Sequence, residues 1–356
     1  MGDRTDEETI ITAIRKTLTA TAVVGAVLAG TAACGTVEQL TAGQQLDAAF
    51  EKLGKEKSLS VELDLDTDER SLKALDASSD PEPGDELPDE VAELLSGVKI
   101  SFTVQSKKPL DVSEEKDYVG MAFKVSAADG DLVEYRIIGD DLYIRTDAEA
   151  LSETMGFPLP SPDDLPPEAD GLKKALSGEW VTLDGKEMED ATAGLGDGED
   201  EPSAEPSLDA RTQKKLVKAL RSTIAREVEF RTSDGDDGAE HVTATAPFRT
   251  LLTELVEEIE PLADKFPPGM ELPTADDLKD APNTKVTADF ALNDGELTEV
   301  HVDLAKLAEN AKVKKLGLKV RFEDGGTVTA PSGATELDVE DLLGGFAGAM
   351  MGAEDF

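Results

Sequence analysis

Short segments in which apolar and polar residues alternate recur along this 356-residue chain, and they constrain its fold more than any other feature. Residues 59–65, 98–104 and 118–125 all follow this pattern. A period of two predicts strands that bury one face and expose the other. Residues 293–295 (Asn-Asp-Gly) separate two further alternating runs, and an Asx-Gly step in such a place is typical of a tight hairpin. The sequence therefore predicts a sheet of antiparallel neighbours.

Segments with helical periodicity interrupt the strands. Residues 41–54 carry apolar side chains at helical spacing, with Thr41 placed to cap the helix and Gly54 to end it. The chain is expected to close with a hairpin between residues 313–322 and 327–331. Further helices are predicted at residues 88–96, 148–155, 166–176, 208–223, 247–259 and 338–350. Together these elements predict an α+β fold, in which a strongly curved antiparallel sheet (a half-barrel) has helices covering its concave face.

The N-terminal region has the plan of an export signal. A positive flank at Arg15-Lys16 precedes an uncharged run over residues 17–33, which ends in small residues before Cys34, the single cysteine of the chain. The stretch Leu28-Ala-Gly-Thr-Ala-Ala-Cys-Gly35 resembles a bacterial lipobox, although Thr31 departs from its usual Leu-type residue. We expect Cys34 to carry an acyl anchor on the extracytoplasmic face of the cell membrane. A transmembrane helix and an ordinary secretory signal cut near Ala33 are the alternatives.

Composition excludes several classes of function. With 35 basic and 77 acidic residues the formal net charge is −42, which opposes nucleic-acid binding and electrostatic docking to anionic lipid. One cysteine forms no internal disulfide, and the two histidines, His241 and His301, are too few for a conventional zinc site. No nucleophile elbow, metalloprotease motif or phosphate loop is present in the sequence. We expect a monomeric protein that is not an enzyme and has no metal and no cofactor.

The order of these segments resembles actinobacterial lipoproteins of the LolA/LppX/LprG type. The lipobox ending in Cys34, the helix-to-strand opening from Gln44 to Leu65, the hairpin DGDLVEYRIIGDDLYIR and the closing block that begins KVTADFALNDGELTEVHVDL carry the resemblance. It implies a half-open antiparallel barrel with helices plugging the concave side. It also implies a hydrophobic cavity between sheet and helices, which relatives use to carry acylated lipids.

Candidate residues for such a cavity follow from the resemblance. Two Pro-rich segments, residues 157–167 and 261–273, are candidate gates through the apolar residues Phe157, Leu159, Phe266 and Met270. Alternatively, these side chains are ordinary loop anchors over a solid core. Trp180, the single tryptophan, is either a cavity-lining residue or a core residue.

Two functional hypotheses remain at this point. The first is a membrane-anchored carrier or binding protein for lipids or other acylated molecules. The second is a cell-envelope interaction or structural protein with a filled core and no ligand. The expected organisation is a signal peptide at 1–33, a lipid-anchored tether at 34–40, a LolA/LppX-like domain at 41–337 with acidic or Pro-rich loops at 76–90, 185–207 and 261–283, and a C-terminal helix and tail at 338–356.

Overall fold

A computed structural model describes residues 37–81, 86–128, 130–155, 162, 165, 170–187, 223–224, 226–235, 238–259 and 277–337. Its α-helices are α1 (Val37–Lys55), α2 (Glu69–Ser78), α3 (Asp89–Gly97), α4 (Ala148–Met155), α5 (Asp170–Leu176) and α6 (Phe248–Ile259). Its strands are β1 (Ser58–Leu65), β2 (Lys99–Ser106), β3 (Tyr118–Ala127), β4 (Gly130–Ile138), β5 (Asp141–Thr146), β6 (Val181–Asp184), β7 (Glu229–Asp234), β8 (Glu240–Pro247), β9 (Lys285–Asn293), β10 (Glu296–Asp303), β11 (Gly317–Glu323) and β12 (Thr335–Glu336).

These strands form one open sheet in the order β12-β6-β5-β4-β3-β2-β1-β11-β10-β9-β8-β7. Every neighbouring pair is antiparallel except β12 and β6, which are parallel. The predicted antiparallel sheet is therefore confirmed, with one parallel strand added at an edge. Strands β1 and β11 meet in the middle of the sheet, so the N-terminal and C-terminal halves of the described chain join there.

The turn between β9 and β10 shows how a short local sequence sets the pairing of two strands. Asn293 pairs with Glu296, and the two residues between them, Asp294 and Gly295, have φ of 51° and 72°. Positive φ at both positions is the geometry of the type I′ turn, whose twist matches that of the flanking strands. The hairpin that the Asn-Asp-Gly step predicts is confirmed.

Helices cover one face of the sheet, which we call the inner face. Side chains of α1 pack on strands β7 to β11 in a cluster of Ala42, Leu46, Ala49, Phe230, Val242, Phe290, Leu292 and Leu297. Leu46 is 1% exposed, and full burial of a leucine contributes about 1.5–3 kcal/mol. A second cluster lies under α5 and consists of Met121, Ile137, Leu142, Ala175, Val181, Leu183 and Leu337.

Two predicted boundaries change in the structure. Helix α1 begins at Val37, so Thr41 lies inside it and residues 37–40 of the expected tether are helical. Glu38, Gln39 and Leu40 are good helix formers, and the helix propagates through them. The expected acidic loop at 76–90 is shorter, because α2 extends to Ser78 and α3 begins at Asp89.

The expected closing hairpin is wrong. Strand β11 already has β1 on one side and β10 on the other, so no free edge remains for residues 327–331. The chain after Glu323 crosses the opposite, outer face of the sheet instead, and we call residues 324–334 the strap. The Val328 N–H donates to Gln105 Oε1 over 3.1 Å, and Arg136 Nη1 donates to the Thr329 carbonyl over 2.9 Å. Beyond the strap, β12 pairs with β6 and Leu337 reaches the inner face.

Candidate functional site: an apolar strip between two buried clusters

The inner face is apolar from one side of the sheet to the other. Register places Val61 opposite Phe102 and Phe322, and the same row continues across the sheet through Phe123, Tyr135, Ile144 and Val181. Directly opposed residues of an antiparallel pair share one face. Phe123 and Tyr135 stack with ring centroids 5.0 Å apart, and burial raises the pKa of the Tyr135 hydroxyl.

The middle of this face is less buried than its two sides. We call the inward side chains of β1, β2 and β3 between the two clusters the central strip: Leu59, Val61, Leu63, Ile100, Phe102, Val104, Phe123 and Val125. All of them are partly or largely exposed, and Ile100 is 38% exposed. By contrast, Val242 under α1 is 0% exposed and Val181 under α5 is 1% exposed. The strip is therefore less enclosed than the two clusters that flank it.

The α2–α3 pair lies at one end of the central strip. These helices connect the end of β1 to the start of β2, and α3 contacts both β1 and α4. Leu75 of α2 is 37% exposed, close to the exposed fraction of Ile100 at the start of β2. The strip is thus bordered by α1 on one side, α5 on the other, and the α2–α3 pair at one end.

The outer face is polar, and its charges are paired across strands. Arg321 Nη1 lies 2.6 Å from Glu62 Oε1 and 2.8 Å from Asp64 Oδ2, and its Nε lies 3.3 Å from Glu299 Oε2. His301 lies opposite Lys319 and Asp289, with Nε2 3.1 Å from Asp66 Oδ2. The inner face is thus the apolar face of the sheet, and the outer face is the polar one.

Trp180 lies apart from both apolar clusters. Its ring centroid is 4.8 Å from the guanidinium carbon of Arg136 and 5.1 Å from that of Arg145. Both arginines bind Glu134 on the outer face, so Trp180 packs with cations there. The sequence around Trp180 contains no signal that distinguishes a position on the outer face from a position in the core.

The other predicted site residues lie outside the described residues. These are the expected lipidation site Cys34 and the candidate gate residues Phe157, Leu159, Phe266 and Met270. Their roles stay predictions. The central strip itself was not singled out from sequence, although the alternation of β1, β2 and β3 carries the signal for it.

In the part of the chain that the structure describes, no helix is both long and apolar enough to cross a bilayer. Within those ranges, no group of three or more His, Cys, Asp or Glu side chains is placed to hold a metal ion.

The strand order and the helix-covered face define an open, mostly antiparallel α+β sheet protein. No protein-family model matches the sequence, and no curated protein matches it. The fold is similar to the lipoprotein LppX of Mycobacterium tuberculosis, at 9% identity and a TM-score of 0.29, over 81% of this chain and 97% of LppX. It is also similar to LprF from Mycobacterium bovis, at 10% identity and a TM-score of 0.31, over 83% of this chain and 97% of LprF. Function is therefore inferred from the residues of this chain alone.

Proposed function

We propose that this protein is a non-catalytic carrier or binding protein for lipids or other acylated molecules, held at the extracytoplasmic face of the membrane by an acyl anchor on Cys34. One observation supports the carrier role above all others: the central strip is entirely apolar and only partly buried. An acyl chain needs such a surface and needs no polar partner. The two buried clusters on either side provide the rigid walls of a groove.

The dimensions of the strip suit one or two acyl chains. From Leu59 to Leu63 the strip extends about 13 Å along the strand, and from β1 to β3 it extends about 10 Å across the sheet. Ten buried methylene groups would contribute roughly 8 kcal/mol before the costs of association. Because the interaction is non-directional, the groove would select for apolar length more than for headgroup chemistry.

Bound lipid can be tested directly. Native mass spectrometry of protein purified from its own host is expected to show an added mass that organic solvent extracts as lipid. The purified, delipidated protein is then expected to bind a fluorescent fatty acid. A clean mass without ligand, together with no fatty-acid binding, would instead favour an interaction protein with a filled core.

A pair of substitutions locates the ligand within the fold. Val61→Trp would fill the space above the central strip, so we expect it to abolish fatty-acid binding while changing the free energy of unfolding by less than about 1 kcal/mol. Val242→Trp is the matched control in the fully buried cluster, where overpacking costs about 1–3 kcal/mol. Equal destabilisation by both variants would show that the strip is already filled.

The anchor has its own test. Cys34→Ala is expected to move the protein from the membrane fraction to the soluble fraction, because it removes the atom that carries the acyl chains. Thr36→Ala, two residues beyond the cysteine, should leave the protein in the membrane fraction. Membrane retention of Cys34→Ala would refute lipidation without affecting the carrier proposal.

A further inference from the structure

A cavity of about 260 Å³ lies on the outer face, opposite the central strip. Its floor consists of outward side chains of β1 to β4, and the strap forms one wall. The lining residues are Ser60, Ser101, Thr103, Ala122, Lys124, Glu134, Arg136, Gly325, Thr327 and Val328.

The cavity exists because short side chains meet on adjacent strands. Register places Ser60 opposite Thr103, and Thr103 opposite Ala122. The Ser60 and Thr103 hydroxyls lie 3.0 Å apart and hydrogen-bond to each other. The strap does not collapse into the hollow, because Gln105 and Arg136 bind its backbone at Val328 and Thr329.

The carboxylate of the cavity is already neutralised. The Glu134 side chain is 8% exposed, and Arg136 Nε donates to its Oε1 over 2.8 Å. Arg145 Nη2 donates to Glu134 Oε2 over 2.7 Å and also to Asp131 Oδ2 over 2.6 Å. With both oxygens bound by guanidinium groups, Glu134 presents little negative charge to a ligand.

Lys124 lines the cavity and has donor capacity left. Its ammonium lies 3.5 Å from Asp131 Oδ1, a looser contact than the one Arg145 makes, and its side chain is 40% exposed. Register places Lys124 opposite Ser101. Lys124, Arg136 and Arg145 contribute three positive charges against two negative charges from Asp131 and Glu134. Glu323, which register places opposite Ser60 on the same face, offsets that excess, so the cavity offers hydrogen-bond donors rather than a net positive charge.

We propose that this cavity binds a small oxyanion, a carboxylate or a phosphate, through the Lys124 ammonium and the hydroxyls of Ser101, Thr103 and Thr327. The lining is rich in donors, and its one carboxylate is occupied, so an acceptor-rich ligand fits it. Repulsion by distant acidic residues is screened beyond about 8 Å at physiological ionic strength. The site is separate from the central strip, because the two lie on opposite faces of the sheet.

Trp180 provides a built-in reporter for this site. It is the single tryptophan of the chain, and its ring contacts Arg136, which lines the cavity. Titration of the purified, soluble Cys34→Ala protein with inorganic phosphate, and separately with acetate, is expected to change tryptophan fluorescence along a saturable curve. Isothermal calorimetry provides an independent measurement of the same binding.

Matched variants make the test specific. Lys124→Met is expected to weaken phosphate binding by about tenfold. The control is Lys99→Met, because Lys99 also lies 3.5 Å from a carboxylate oxygen, that of Glu62. It should leave the affinity within about a factor of two. Ala122→Leu keeps every charge but fills the hollow, and is expected to abolish binding.

Vesicle flotation distinguishes the source of the anion. Binding to phosphatidylglycerol vesicles that is lost in Lys124→Met would identify a lipid headgroup as the ligand. Saturable binding of phosphate or acetate without flotation would identify a dissolved oxyanion. Absence of both, or equal losses in Lys124→Met and Lys99→Met, would overturn the proposal. None of these outcomes bears on fatty-acid binding at the central strip.

Discussion

Asp64, Asp66 and Asp68 occupy alternate positions in the chain, yet their carboxylates bind three different partners. Asp64 pairs with Arg321 over 2.8 Å, and Asp66 pairs with Lys315 over 2.8 Å. Asp68 accepts from the Ser71 N–H over 2.8 Å and caps α2. The spacing resembles the start of a calcium loop, yet each carboxylate has a separate partner within the protein.

Asp66 makes a pH-dependent contribution to stability. The hydrogen bond from Lys315 holds the pKa of Asp66 below its usual range, against an opposing effect of burial, and the charges of Lys319 and His301 act in the same direction as Lys315. A group whose pKa is depressed by folding stabilises the protein above its unfolded pKa, near 3.8, and loses that contribution as pH falls through the folded pKa.

Asp66→Asn should therefore lower the free energy of unfolding near neutral pH by about 0.5–1 kcal/mol, because the contact is partly exposed. The deficit should shrink as the pH falls below 3.8 and through the depressed folded pKa of Asp66. Urea denaturation of Asp66→Asn and of the unsubstituted protein, from neutral to acidic pH, measures this difference in the free energy of unfolding. Asp294→Asn, in an exposed turn that accepts either residue, serves as the control. A deficit unchanged in acid would mean that the charge of Asp66 is not its source.

At the scale of elements, α5 and the segment that follows β12 hold each other in place. Leu337, directly after β12, is 6% exposed and packs against Gly171 in the first turn of α5. A Cβ at Gly171 would overlap with Leu337 Cδ2. Helix propensity alone favours alanine over glycine by about 1 kcal/mol, so the close approach explains why glycine stands there.

Gly171→Ala is expected to destabilise the protein by about 1–3 kcal/mol through overpacking. Gly97→Ala is the control, because nothing lies within 4 Å of a Cβ at that helical position, and it should be neutral or slightly stabilising. Chemical denaturation gives both values. If the two substitutions behaved alike, the contact between α5 and Leu337 would contribute nothing measurable.

Local elements were predictable from sequence, whereas long-range contacts were not. The hairpin at residues 293–296 and helix α4 follow from residues that are neighbours in the chain. Helix α2 was not predicted from the sequence, and Ser71 and Leu72 are its buried residues. The path of the strap depends on both edges of β11 being occupied, one of them by β1, which lies more than 250 residues earlier. The hollow at Ala122 arises in the same way, from short side chains on three strands.

At the scale of the whole molecule, acidic self-repulsion should influence stability more than individual ion pairs do. The chain has 77 acidic and 35 basic residues, so like charges greatly outnumber pairs. Exposed ion pairs contribute about 0–1 kcal/mol each, and salt weakens both the pairs and the repulsion. Because unfolding moves the excess negative charges apart, screening should favour the folded state.

The urea midpoint is therefore expected to rise between about 10 mM and 300 mM sodium chloride, by about 1 kcal/mol in the free energy of unfolding. Choline chloride at equal ionic strength should act in the same way, which separates screening from sodium binding. A midpoint that fell steadily with salt would show that the outer-face ion pairs dominate.

The meeting of β1 and β11 at the middle of the sheet has a consequence for biogenesis. Strands β1 to β6 and strands β7 to β11 are each ordered along the chain, so each half can pair locally as it emerges. Val61 and Phe322, by contrast, become neighbours only after nearly the whole polypeptide has been made. If the chain is exported from its N-terminus as proposed, its apolar groove cannot close around cargo inside the cell. On that proposal, the groove would load only after the last strands have crossed the membrane.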